Sequence, residues 1–145
     1  MNIPEYVTKE EVQRVCSELK ISDWTKKSAP EVSSKEAKII LSLVNKEGMD
    51  IDLEEFRVGL EIELEHGTCF EDANVTNNHP LLTGLIVLAH LKESLDYYKL
   101  LEVAELEGDL LKAVAANNSE KTTKYYKKLA EAKIALSRAE LKRLS

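Results

Sequence analysis

Three helix-start signals at short intervals constrain this chain more than any other feature. Thr8-Lys-Glu-Glu11, Ser33-Ser-Lys-Glu36 and Asp52-Leu-Glu-Glu55 each place a short oxygen-bearing side chain three residues ahead of a glutamate. At that spacing the first residue caps a backbone N–H and the glutamate reaches back to do the same. Apolar residues follow at helical spacing: Val12, Val15, Cys16 and Leu19, then Ala37, Ile40, Leu41 and Val44, then Phe56 and Leu60. With only 5 Gly and 3 Pro in 145 residues, the composition argues against a β-sandwich or a disordered chain. The expectation is an all-α protein.

The signals predict helices from Thr8 to about Leu19, from Ser33 to Gly48, and from Asp52 to His66, with Gly67 as the helix stop. Ile21-Ser-Asp-Trp24 reads as a turn with a Trp anchor. A polar loop, 68–79, leads to Pro80 in the first turn of a helix running to about Leu95. That helix is apolar nearly all round, which marks it as the central, buried one. A long helix from Asp96 to about Ala116, a turn at Asn117-Asn118-Ser119 and a last helix complete the chain.

The last two helices share a repeat: Tyr97-Tyr-Lys-Leu-Leu101 returns as Tyr125-Tyr-Lys-Lys-Leu129, four heptads later. A seam is predicted through Tyr97, Leu101, Ala104, Gly108, Leu111 and Ala115, facing Tyr125, Leu129, Ala132, Leu136 and Ala139. The domain reading is a compact helical bundle over 1–95 and a long antiparallel hairpin over 96–145, packed on the bundle or on a second subunit. The small residues of the seam favour a homodimer.

The net charge of −6 is unevenly spread. From Glu47 to Asp109 there are 16 acids against Arg57, Lys92 and Lys99, whereas from Asn117 onward 8 Lys or Arg oppose three Glu. The acidic middle argues against nucleic-acid binding, and the basic last helix answers the acidic one before it. No run reaches the roughly 18 apolar residues of a membrane helix. The first residues, MNIPEYVTKEE, show neither a basic leader nor an apolar signal core, so a cytoplasmic location is expected. Cys16 and Cys69, without a CxxC pattern, read as reduced thiols.

Chemistry concentrates in two short segments. Glu63 and His66 lie at i, i+3 near the end of the third helix, and His90 and Glu93 repeat that spacing on the next. Each pair shares a helix face, and the two could converge. Glu63 falls within about 20° of Phe56 around its helix, so this carboxylate lies beside the apolar stripe. Two Glu and two His could hold one Zn, Mn or Fe ion, with Tyr97, His79 or Glu102 as auxiliaries. The competing reading is a polar clasp, in which His90 satisfies its ring nitrogens on Glu93 and Glu63, while His66 is favoured at its helix end by the macrodipole. GxSxG, HExxH, a phosphate-cradling Gly-rich loop and a catalytic Cys-His pair are all missing from the sequence.

The stretch from Asp52 through Glu61-Ile-Glu-Leu-Glu-His66-Gly67, with Ala89-His90-Leu-Lys-Glu93 and Asp96-Tyr97-Tyr98, resembles domain-of-unknown-function family 5661 of small bacterial and phage proteins. The resemblance covers about Leu53 to Glu107 and implies that Glu63, His66, His90, Glu93, Asp96 and Tyr97 belong together. It carries no assigned activity. The function expected is therefore that of a non-catalytic oligomeric adaptor or accessory protein with a buried His/Glu network and a protein partner. A metal-binding protein or metal-dependent enzyme using Glu63, His66, His90 and Glu93 is the alternative.

Overall fold

The computed structural model describes residues 5–145; the sequence reading of the first four residues lies outside it. The described residues form six α-helices and two short 3-10 turns, with no strand among them. The chain divides into two compact units, one ending at Glu93 and the other spanning Ser94–Ser145. No helix among the described residues is long and apolar enough to cross a membrane.

The first unit holds α1 (Lys9–Leu19), α2 (Ser34–Val44), α3 (Leu53–Cys69) and α4 (Pro80–Glu93). All three predicted N-cap residues accept backbone N–H groups, Thr8 from Glu11, Ser33 from Glu36 and Asp52 from Glu54 and Glu55, and the reciprocal half of the box forms at Glu36, whereas Glu11 turns its carboxylate to Arg14. Helices α2, α3 and α4 pack mutually around Ile40, Phe56, Leu60, Leu64, Val87 and Leu91, while α1 and the turn Trp24–Lys26 close one side with Val12, Cys16 and Trp24. Gly84 lets α4 approach α2 closely, since a Cβ there would sit 2.5 Å from the Ile40 methyl.

Three expectations about these helices are corrected. Helix α2 ends at Val44 instead of Gly48, because the Asn45 side chain exchanges hydrogen bonds with Met49 N–H and C=O and closes a loop in which Gly48 takes φ +68°. Helix α3 runs through Gly67 to Cys69. Helix α4, apolar nearly all round in composition, buries Thr83, Gly84, Val87, Leu88 and Leu91 on one face and leaves Leu85 and Ile86 exposed.

The second unit pairs α5 (Tyr97–Ala115) with α6 (Ser119–Leu144). Asp96 ahead of α5 accepts two hydrogen bonds from Arg143 near the end of α6, at 2.5 and 2.9 Å, and Glu107 meets Lys133 at 3.1 Å. The two pairs fix an antiparallel register. Arg143 holds the Asp96 carboxyl below the usual carboxylate range, against a smaller opposing effect of burial. On α6 the predicted seam is sheltered at Leu129 and Ala132 and half-sheltered at Tyr125, Leu136 and Ala139. On α5 the seam holds only in part, with Tyr97, Leu101 and Gly108 half-sheltered. Ala113 is buried, and Leu106 and Asp109 line a groove with Lys128 and Ala132 of α6. By contrast, Ala104, Leu111 and Ala115 are exposed, and a Cβ on Gly108 would meet nothing within 4 Å.

Candidate functional site

The His/Glu residues fall on α3 and α4 of the first unit, and the two helices pack together. Glu63 is their centre. Its side chain keeps 11% of its accessible surface, and its two oxygens face different histidines: Oε1 lies 3.5 Å from His90 Nε2 and Oε2 lies 3.7 Å from His66 Nδ1. His66 is 67% exposed, and its Nδ1 also lies 3.3 Å from the Glu63 carbonyl oxygen. His90, 30% exposed, presents its other nitrogen, Nδ1, to Glu93 at 4.0 Å, and Glu93 is 73% exposed.

The four residues are thus neighbours in a chain of contacts. The two nitrogens of an imidazole point away from each other, so Glu63 on His90 Nε2 and Glu93 on His90 Nδ1 do not aim at a common point. Among the described residues no three His, Cys, Asp or Glu side chains are grouped to hold a metal ion. His79 is buried and occupied otherwise: its Nδ1 accepts from the backbone N–H groups of Leu81 and Leu82, capping α4. Burial pushes its pKa below the usual histidine value, with a smaller opposing effect from Glu11. Tyr97 belongs to the second unit and stacks edge-on with Tyr98, and Glu102 lines the α5–α6 groove. Cys69 is exposed, with its sulfur 4.0 Å from Glu65.

Three polar constellations went unread in the sequence. Glu36, foreseen only as half of a capping box, is nearly buried and collects five donors: Ser22 N and Oγ at 3.3 and 2.5 Å and Trp24 Nε1 at 3.2 Å on one oxygen, Ser33 N and Oγ at 3.0 and 2.8 Å on the other. Burial alone would raise its pKa, but these hydrogen bonds outweigh it and hold the group at about 2. Glu61 and Arg57 clamp the backbone of Val32 from α3, Glu61 accepting its N–H at 3.0 Å and Arg57 donating to its carbonyl at 3.2 Å. Asn77 and Asn78, both at positive φ, fold the loop before α4 over Gly67, where a Cβ would lie 1.9 Å from Asn78 Oδ1. A polar cleft of about 380 Å³ beside this glycine is lined by Lys9, Lys27, Thr68, Asn74 and Asn77. None of the His/Glu candidates line it.

A family model described as "Protein of unknown function (DUF5661)" matches residues 12–107, from α1 to the middle of α5, and the chain belongs to this family. No curated protein and no solved structure matches the chain.

Proposed function

We propose that this member of DUF5661 is a non-catalytic, oligomeric adaptor or accessory protein of the cytoplasm that works as a homodimer and engages a protein partner. The observation that carries the non-catalytic reading is the way Glu63 and His90 divide their polar atoms among neighbours on two helices. That pattern suits a clasp fixing which helices pair, with the Glu63 carboxylate set between two imidazoles. Elsewhere in the first unit the sheltered polar groups also serve the backbone: Glu36 joins the Trp24 turn to α2, Glu61 holds Val32, and His79 caps α4. Two unpaired cysteines suit a reducing compartment. The unequal charges of α5 and α6, and the apolar side chains they expose, support association through the second unit.

The test is elemental analysis of untagged protein purified without chelator, with thermal melts of wild type and His90→Ala. The adaptor reading expects substoichiometric Zn, Mn and Fe, a wild-type melt indifferent to chelator, and a loss of about 1 kcal/mol in His90→Ala. Stoichiometric metal, a midpoint lowered by chelator, and loss of both properties in His90→Ala would replace it with the metal-binding reading.

A further inference from the structure

Large apolar side chains stand exposed on both helices of the second unit. On α5 they are Leu100, Leu111 and Val114, at 45, 70 and 53% exposure; on α6 they are Tyr126, Ile134, Leu141 and Leu144, at 67, 53, 65 and 84%. At about 100° per residue the three on α5 fall within about 60° of one another, with Glu107 among them. Those on α6 fall within about 80°, with Lys133 at their margin. Glu107 and Lys133 meet at 3.1 Å, so the α5 stripe lies on the same side of the hairpin as Tyr126 and Leu144, while Ile134 and Leu141 point away from α5 on the outer edge of α6. The opposite side carries the groove of Glu102, Glu105, Asp109, Lys128 and Glu131. The hairpin therefore has one apolar face and one charged face.

We infer that the apolar face is where a second copy of this chain docks, hairpin on hairpin, with α5 of each copy lying over α6 of the other. This deepens the homodimer reading above and rests on it. Area and charge both argue for this occupant. A helix of 19 residues is about 28 Å long, and two adjacent helices present a face about 20 Å wide. Covering such a face on both copies removes on the order of 1,200 Å², the threshold of a specific interface. The charges choose the arrangement. Helix α5 carries two Lys against three Glu and one Asp, whereas α6 carries eight Lys or Arg against three Glu. A two-fold axis parallel to the helices sets the acidic helix on the basic one twice, while a perpendicular axis would set α6 on α6.

The parallel axis also fixes the register. It preserves height along the hairpin, so residues level with each other inside one copy, as Glu107 is with Lys133 and Asp96 with Arg143, are level between copies as well. Val114 then meets Tyr126 of the second copy, Leu111 lies over Ala130, and the Glu107–Lys133 attraction recurs across the interface.

The test uses the full chain in sedimentation equilibrium, with Leu111→Lys and Tyr126→Lys, both at exposed positions, and helical content checked by circular dichroism. Wild type is expected at twice 16.4 kDa. Each variant is expected to stay helical with dimer dissociation at least about 100-fold easier, the effect of a central interface residue. For the register, a Val114→Cys chain is mixed with a Tyr126→Cys chain, both carrying Cys69→Ser, and oxidised. A cross-linked heterodimer is expected. A monomeric wild type at micromolar concentration overturns both this inference and the homodimer reading. A dimer untouched by either lysine overturns the face and leaves the homodimer reading standing. Cross-linking of each chain only to itself overturns the α5-on-α6 arrangement.

Discussion

Replacing Glu36 by Gln removes one charge and almost no volume, and the structure sets what that should do. Both carboxylate oxygens act only as acceptors, taking three donors on one and two on the other. An amide has one acceptor oxygen, so whichever way it turns, its NH2 faces two or three N–H or O–H groups in a nearly buried site. The pKa gives the magnitude. A carboxylate held at about 2 against its ordinary 4.5 is stabilised in the folded protein by about 3 kcal/mol relative to the unfolded chain. The sign follows from the lowered value: the contribution is complete above 4.5 and disappears as pH falls from there to about 2. Glu36→Gln should therefore lose about 3 kcal/mol at pH 7, a fall of roughly 10–20 °C in the melting midpoint of a unit this size. The difference from wild type should close as pH approaches 2. Trp24, the only tryptophan, is fully buried and donates to Glu36, so its emission during urea titration at a series of pH values reports the transition. A loss below about 1 kcal/mol at pH 7, or a difference that stays constant with pH, would refute the reasoning.

Two glycines inside helices should respond oppositely to alanine. Gly67→Ala should lose about 1–3 kcal/mol through the clash with Asn78 and Asn74, whereas Gly108→Ala, with open space around its Cβ, should gain up to about 1 kcal/mol in the helix; melts of the two variants by circular dichroism check the pair. His79 caps α4 through an unprotonated Nδ1, and burial lowers its pKa. Stability should therefore be complete above the ordinary value of 6.5 and decline as pH falls below it, and His79→Asn, which keeps a capping oxygen, should flatten that slope in urea titrations between pH 7 and 5. A slope unchanged by the substitution would remove His79 from the account.

What was legible in the sequence was local. The three caps are written in adjacent residues, so Thr8, Ser33 and Asp52 could be read directly, and with them the starts of α1, α2 and α3. The endings failed where a distant segment decides them. Gly67 has the residue type of a helix stop, yet its function is to admit Asn78 to within contact of the backbone, which no window around position 67 records. Asn45 ends α2 through a hydrogen-bonded loop to Met49, before the glycine that looked like the signal. At the candidate site, spacing placed Glu63 with His66 and His90 with Glu93, and the packing of α3 on α4 brings His90 to Glu63. The direction in which each ring nitrogen points is a rotamer property and lies beyond spacing. Glu36 shows the same limit from the other side: the capping box accounts for one carboxylate oxygen, and the three donors on the other come from the loop of Ser22 and Trp24.

The partial seam on α5 has a cause that bears on the second unit as a whole. A helix with apolar residues at Leu101, Leu106, Leu110 and Ala113 and also at Leu100, Leu111 and Val114 satisfies the helical period on more than one face. Periodicity then specifies a helix without saying which side turns inward. The choice falls to the pairs that set the hairpin's rotation, Glu107 with Lys133 and Asp96 with Arg143, and these turn Leu111 outward. Two antiparallel helices can shelter only one side of each other. A hairpin with a second apolar side therefore either leaves it in water, where an exposed patch of this size favours association, or covers it. Leu111, which departs from the seam reading on α5, is in this way part of the exposed apolar side on which the inferred second copy docks.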